Sequence, residues 1–298
     1  MIFENLNTLP NKYGTKKKKN CVHNRKYSNM MLNPLQLKHL NHIDKSDADM
    51  ITLNLEDAIA PSRKKEALHN IALFLSYMEH SDSFIIVRTN PLDKGGAEEI
   101  DFLNDFSFDA IRLAKVKNQT QIAQALTLLS SDKELHISLE TKEAFENLSK
   151  LRIDPRLTTA NLGILDLLTS LELPQSIVKL GNPSIDYILS KFLIDAKTAG
   201  IHPISFMFQE YNNTKTFKAW CEHEKTLGFK SKACMGPKQV TIANEVFSIN
   251  KYEIDRALHI KTVFETHAAK NVNGFMDEKY GFIDEPIYRD SLLILNNI

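Results

Sequence analysis

The chain has 298 residues with 37 basic and 37 acidic side chains, so its net charge offers no broad field to gather nucleic acid or an anionic membrane surface. A hydrophobic fraction of 43% supports a substantial core and a charged fraction of 25% is ordinary for a globule, which suits one domain of roughly 250 residues plus tails. The cysteines Cys21, Cys221 and Cys234 are odd in number, far apart and in no C-x-x-C pair, which argues against a disulfide framework or a zinc site and for a reducing cytoplasm.

Residues 1–26 carry Asn, Lys and one Gly without periodicity and are expected to be a flexible basic tail. Its apolar start precedes the lysine run, the wrong order for a secretory signal, and no apolar stretch approaches the ~18 residues of a spanning helix. The expectation is a cytoplasmic protein with neither nucleic acid nor membrane as partner.

From residue 27 to about 240, short strand-like runs alternate with longer helical patterns. The strands are expected at 28–32, 51–55, 84–88, 110–113, 136–139, 159–162, 203–208 and 232–235, each followed by room for a helix. Between them, 62–76 places Ala67, Leu68, Ile71, Ala72 and Leu75 on one stripe, and 120–129 repeats the pattern with Ile122, Ala125, Leu126 and Leu129. Strand and helix repeated about eight times favour a (β/α)8 TIM barrel over an open doubly wound sheet, and no Gly-rich phosphate loop follows the first strand. Residues 241–298 are more than one closing helix requires. They read as a helix over 251–270, a turn at 280–286 and a last helix over 288–295, a C-terminal helical extension expected to pack on a neighbouring subunit.

In such a barrel the working residues sit at the carboxyl ends of strands. Four apolar runs end in charge: Glu56 and Asp57 after 51–55, Arg88 after 84–87, Glu140 after 137–139, and Asp166 after 162–165. Carboxylates brought together repel unless a cation neutralises them, and an oxygen-only set that leaves room for water and substrate describes Mg²⁺. Glu140 and Asp166 are therefore the expected metal ligands, while Asp57 alone would also serve as a helix cap. Arg88 is placed to clamp a carboxylate or a developing enolate oxygen, or else to pair structurally with Glu56 or Asp57. Lys115 is a weaker candidate, and a Schiff-base role would require its burial. His136 and His202 have no partners at metal-ligand spacing, His39 with His42 on one helical face reads as solvated, and Trp220 reads as packing.

Together the strand ends spell Leu55-Glu56-Asp57-Ala58-Ile59-Ala60-Pro61, Val87-Arg88-Thr89-Asn90-Pro91-Leu92, Leu113-Ala114-Lys115-Val116 and Leu139-Glu140-Thr141. Gly163 with Asp166, Leu227-Gly228-Phe229 with Lys232, and Phe282-Ile283-Asp284 with Pro286 follow in order. This series resembles the citrate lyase beta-subunit-like (HpcH/HpaI aldolase/citrate lyase) family. The resemblance implies a Mg²⁺-dependent carbon-carbon lyase acting on a 3-hydroxy-3-carboxy acyl thioester of citryl, malyl or citramalyl type, carried on coenzyme A or an acyl carrier protein and yielding a 2-oxo acid. It implies Glu140 and Asp166 as metal ligands, Arg88 on the oxo acid, Glu56 and Asp57 as the acidic pair behind them, and Lys115 and Gly163 on the substrate. Asp284 matches an acid that reaches the active site of an adjoining subunit, commonly within a trimer.

The sequence also departs from the pattern. Asn54 stands where relatives usually carry Asp, Asn33-Pro34 replaces a Pro-Gly turn, and Cys234-Met235-Gly236-Pro237 lacks the family's histidine. These changes leave open a competing reading, a barrel that binds metal and ligand without turnover as a regulatory or scaffold subunit.

Overall fold

A computed structural model describes residues 12–18 and 25–296. It divides into two compact units, 1–247 and 248–298. The first is a (β/α)8 barrel. Its strands are β1 (Ser28–Leu32), β2 (Met50–Asn54), β3 (Phe84–Thr89), β4 (Ala110–Leu113), β5 (Glu134–Leu139), β6 (Leu157–Leu162), β7 (His202–Ile204) and β8 (Lys232–Cys234). All pair in parallel in the order β7-β6-β5-β4-β3-β2-β1-β8. The remaining seam between β7 and β8 is bridged at Ser205 and Lys232, with Ser205 donating to Ser231 and Ala233 donating to Ser205.

The intervening helices are α1 (Leu37–Leu40), α2 (Lys64–Tyr77), α3 (Gly96–Leu103), α4 (Gln119–Leu128), α5 (Lys142–Asn147), α6 (Ile164–Ser170), α7 (Pro183–Thr198), α8 (Thr214–Leu227) and α9 (Pro237–Phe247). Short polar side chains start several of them by accepting an otherwise orphaned backbone N–H: Asn118 for α4, Thr141 for α5, Asn182 for α7 and Asn213 for α8. The large apolar core lies between strands and helices, where strand residues such as Leu53, Val87, Ile111 and Ile137 meet Ile71, Ile122 and Phe192. A second, small cluster of Met50, Ile86, Ala110, Ile204 and Ala233 fills part of the barrel interior.

Each expected strand is present within a few residues. The run 203–208 stops pairing early, and only Ser205 continues the ladder. The run 162–165 is not one strand end: β6 finishes at Leu162, and Ile164 opens α6, which puts Asp166 in the first turn of that helix. Of the segment expected to be a tail, residues 12–18 hydrogen-bond to the barrel. Lys16 donates its backbone N–H to Ser76, Gly14 donates to the Ser76 hydroxyl, and Lys18 pairs with Asp109 at 2.9 Å.

The second unit holds α10 (Lys251–Ala268), an antiparallel hairpin of β9 (Gly274–Asp277) and β10 (Gly281–Asp284), and α11 (Glu285–Leu295). The expected turn at 280–286 is thus the second arm of a hairpin that runs straight into α11. Ile260, Phe264 and Ile283 form its core, with Tyr288 stacked on Phe264 at 4.5 Å. Asn250 and Glu253 cap α10 reciprocally. Asp284 caps α11 by accepting from the Ile287 N–H.

Candidate active site

At the carboxyl ends of the strands lies a cavity of about 520 Å³ lined by Asn54, Asp57, Arg88, Arg112, Glu140 and Asp166 among others. Arg88 closes β3 and is buried. Its Nη2 donates to Glu140 Oε1 at 2.6 Å and meets Glu56 Oε2 at 2.9 Å, while its Nε has no partner. The ends of β2 and β3 are fastened together by Asn90, which donates to the Leu55 carbonyl and accepts from Lys64. Beneath the acidic pair, Asn54 accepts the Glu56 N–H at 3.2 Å through its side-chain oxygen.

Lys115 follows β4 in a left-handed conformation with φ 52°, which turns its chain back over the mouth. Its Nζ lies 3.0 Å from Glu56, 3.1 Å from Asp57 and 3.8 Å from Asp166, and its N–H donates to Glu140 Oε2 at 3.2 Å. One residue therefore touches all four acids. Burial opposes its charge, but hydrogen bonds to Glu56 and Asp57 win and raise its pKa. An ammonium held in this way is no Schiff-base nucleophile.

The acids divide by environment. Burial of Glu56, helped by its hydrogen bond with Asp57, raises its pKa against the pull of Arg88. Burial would also raise Asp57, but hydrogen bonds with Glu56 and Lys115 outweigh it, and Asp57 is held below the usual carboxylate range. Glu140 is buried, whereas the Asp166 side chain is 45% exposed and free to take a ligand. Gly163 sets their spacing. A Cβ there would stand 2.3 Å from Glu140 Cγ, so only glycine lets the start of α6 pass over Glu140.

Among the described residues, no group of three or more His, Cys, Asp and Glu side chains is arranged to hold a metal. An ion at this mouth would draw on Glu140 and Asp166 and complete its shell with water and ligand oxygens. That habit belongs to Mg²⁺, not to zinc or to a fully caged Ca²⁺, so the donor set fits.

Sequence reasoning passed over three residues of the cavity. Arg112 in β4, Ser138 in β5 and Asn161 in β6 are buried and face it. Arg112 has an unpartnered Nε and forms no ion pair with a described carboxylate; burial and the neighbouring Arg88 lower its pKa to about 9, which leaves it charged at neutral pH. Neither side-chain atom of Asn161 has a partner. The signal was present: a parallel strand covered on both faces reads as continuous apolar sequence, and Ala-Ile-Arg112-Leu breaks that rule.

Of the histidines, His136 and His202 lie low in the barrel, bonded to Glu134 and Ser231. His39 and His42 line a second cavity of about 540 Å³ with Lys38, Lys45 and Tyr211. Leu32 and Met235 line both cavities. Trp220 is buried edge-on against Phe206. Lys232 faces α8, where it pairs with Glu224 at 2.5 Å. Asp284 belongs to the second unit.

A model of the HpcH/HpaI aldolase/citrate lyase family matches residues 30–237. A (3S)-malyl-CoA thioesterase of Cereibacter sphaeroides is 30% identical over 222 residues, 73% of this chain and 75% of that protein. An L-malyl-CoA/beta-methylmalyl-CoA lyase of Rhodobacter capsulatus is 24% identical over 255 residues, 76% of this chain and 80% of its own length. A solved citrate lyase from Burkholderia xenovorans superposes with a TM-score of 0.78 at 15% identity, covering 90% of each chain. Protein CitE of Mycobacterium tuberculosis, crystallised with magnesium, acetoacetate and coenzyme A, gives 0.71 at 14% identity, covering 92% of this chain and 98% of that one.

Proposed function

The chain belongs to the HpcH/HpaI aldolase/citrate lyase family, and we propose that it is a Mg²⁺-dependent carbon-carbon lyase. Its substrate in this reading is a 3-hydroxy-3-carboxy acyl thioester of citryl, malyl or citramalyl type, cleaved to an acyl thioester and a 2-oxo acid. The observation that supports it most directly is the open ionic cluster: Glu56, Asp57, Glu140 and Asp166 around Arg88 and Lys115 at one cavity.

Glu140 and Asp166 would hold the ion, which when bound supplies Lewis acidity toward the oxygens of the oxo acid. Arg88, fixed by Glu56 and Glu140, keeps its orientation without reorganising and turns its remaining donors to the charge that develops on cleavage. Lys115 keeps Asp57 ionised and stops the acids from repelling one another. The raised pKa of Glu56 makes its carboxyl better suited than that of Asp57 to hold a proton at the mouth. Gly163 lets substrate oxygens approach the start of α6.

Asp284 is assigned the acid-base step at the acyl carbon, contributed by a neighbouring subunit of a homotrimer. Met276, Phe282 and Leu293, exposed on the second unit, support such an interface. A monodisperse monomer in light scattering overturns this part. Among the described residues no helix is long and apolar enough to cross a membrane, and Cys221 and Cys234 are free thiols, which suits a cytoplasmic enzyme. The second cavity, with Lys38, His39 and Lys45, suits the phosphates of a pantetheine carrier, coenzyme A or acyl carrier protein. Competition by free coenzyme A separates the two.

The thioesterase among the relatives favours a second reading, hydrolysis of the same thioester. A panel of malyl, citramalyl and citryl thioesters, incubated with and without Mg²⁺, distinguishes them by product. Cleavage releases a 2-oxo acid and leaves the carrier acylated; hydrolysis releases a free thiol and a hydroxy acid. Silence across the panel, with oxo acid and metal still binding, would return the chain to the non-catalytic reading.

A further inference from the structure

The cations at the cavity are not equivalent. Arg88 and Lys115 are consumed by four carboxylates, whereas Arg112, 2% exposed, has none among the described residues. It also stands directly beside Arg88 in the β3–β4 register, so two like charges share a low-dielectric interior. An unpaired buried guanidinium is costly and is retained only where something else supplies the anion. Its neighbourhood is made for one: Ser138 and Asn161 are register partners on β5 and β6, and both polar atoms of the Asn161 side chain are unsatisfied.

Depth says which part of a ligand arrives there. Arg112 is in register with His136, four residues before Glu140, which follows the end of β5, and it precedes by three residues Lys115, whose N–H donates to Glu140, so it enters the cavity from beneath the carboxylates of the mouth. A group chelated at Glu140 and Asp166 lies above it. What Arg112 meets is the far end of the ligand.

We infer that Arg112 is a specificity-determining residue, and that the oxo acid taken by this site carries a second carboxylate, bound in the guanidinium fork with Asn161 beside it. The substrate class narrows accordingly to a thioester with two free carboxylates, both of which leave on the 2-oxo dicarboxylic acid released by cleavage. This inference rests on the lyase reading above.

Binding, not turnover, tests it. With Mg²⁺ present, calorimetry compares freshly dissolved oxaloacetate, corrected for its spontaneous decarboxylation, with pyruvate. The wild-type chain is expected to prefer the dicarboxylic acid by about 10- to 100-fold, the range of a charge-assisted bidentate contact. Arg112→Met should bring that ratio close to 1 while pyruvate affinity changes less than about 3-fold, and Arg112→Lys should keep part of the preference. A merely structural arginine would move both acids together. The unfolding midpoint of Arg112→Met should rise, since an uncompensated buried charge is removed. A wild-type ratio near 1, or a preference that survives in Arg112→Met, overturns the inference and leaves the lyase reading standing. Binding of neither acid to the wild type overturns both.

Discussion

Two sets of buried charges sit at the carboxyl end and on the outer side of the same barrel, and they are built for different ends. Lys232 and Glu224 form a pair between β8 and α8 that is closed to water, although Glu224 Oε2 has no hydrogen-bond partner. Both side chains are fully buried at 2.5 Å, and the Lys232 ammonium lies 3.6 Å from the Phe206 ring centroid. Neither residue lines the cavity at the mouth or the second cavity beside it. The mouth cluster has more acids than bases, a half-exposed Asp166, unpartnered atoms on Arg88 and Asn161, and a cavity in its midst. A buried ion pair is therefore no sign of a site; surplus charge and unmet donors facing open space are.

The widest separation between the two is in activity. Glu140→Ala or Asp166→Ala should lower turnover by at least about 1,000-fold with little loss of folded protein. Gly163→Ala should follow at about 100-fold, because its Cβ displaces Glu140. Wild-type rates in any of these would detach the chemistry from the mouth.

At the closed pair the effect is on stability. Lys232→Met leaves Glu224 buried and alone and should cost about 3–5 kcal/mol in urea unfolding, whereas the double change Lys232→Met with Glu224→Leu should recover most of that. A single variant as stable as wild type would show that the pair reaches water.

Low in the barrel lie buried imidazoles that are neutral at neutral pH, and pH reads them. Burial lowers the His136 pKa from 6.5 to about 4. The unfolded chain binds the proton more tightly, so stability is fully present above pH 6.5 and is lost as pH falls toward 4, by about 3 kcal/mol at this site. His136→Asn should remove that share of the slope and leave the share of His202, whose pKa burial lowers from 6.5 to about 3; an unchanged slope would place the titration elsewhere.

The smallest stability effect concerns Asp284. Asp284→Ala should cost about 1 kcal/mol through loss of the α11 cap, and Asp284→Ser should cost less because serine still accepts from Ile287. If the carboxylate is also catalytic, both lose turnover alike; activity retained in the serine variant limits Asp284 to capping.

Much of this was legible in the sequence for a physical reason. Strands buried on both faces are continuous apolar runs, so a charge that ends one marks the mouth of a barrel, and Glu56, Arg88 and Glu140 were found in that way. Asp166 was found by a weaker cue, since its apolar run straddles the end of β6 and the start of α6. Arg112 was passed over although it interrupts the apolar run of β4, whereas Ser138 and Asn161 are small polar residues within strands that carry no such signal until the barrel closes around them. The hairpin of the second unit escaped as well. Its strands, Gly274–Asp277 and Gly281–Asp284, are four residues each, too short for alternation to register.

The central claim is that the open cluster, and not the closed pair, accepts a divalent ion. Titration with Mn²⁺, followed by electron paramagnetic resonance of the free ion, tests it on three proteins: wild type, Glu140→Gln, and Lys232→Met with Glu224→Leu. The account predicts one saturable site per chain in the wild type and in the double variant, and its loss in Glu140→Gln; undiminished binding in Glu140→Gln would contradict it.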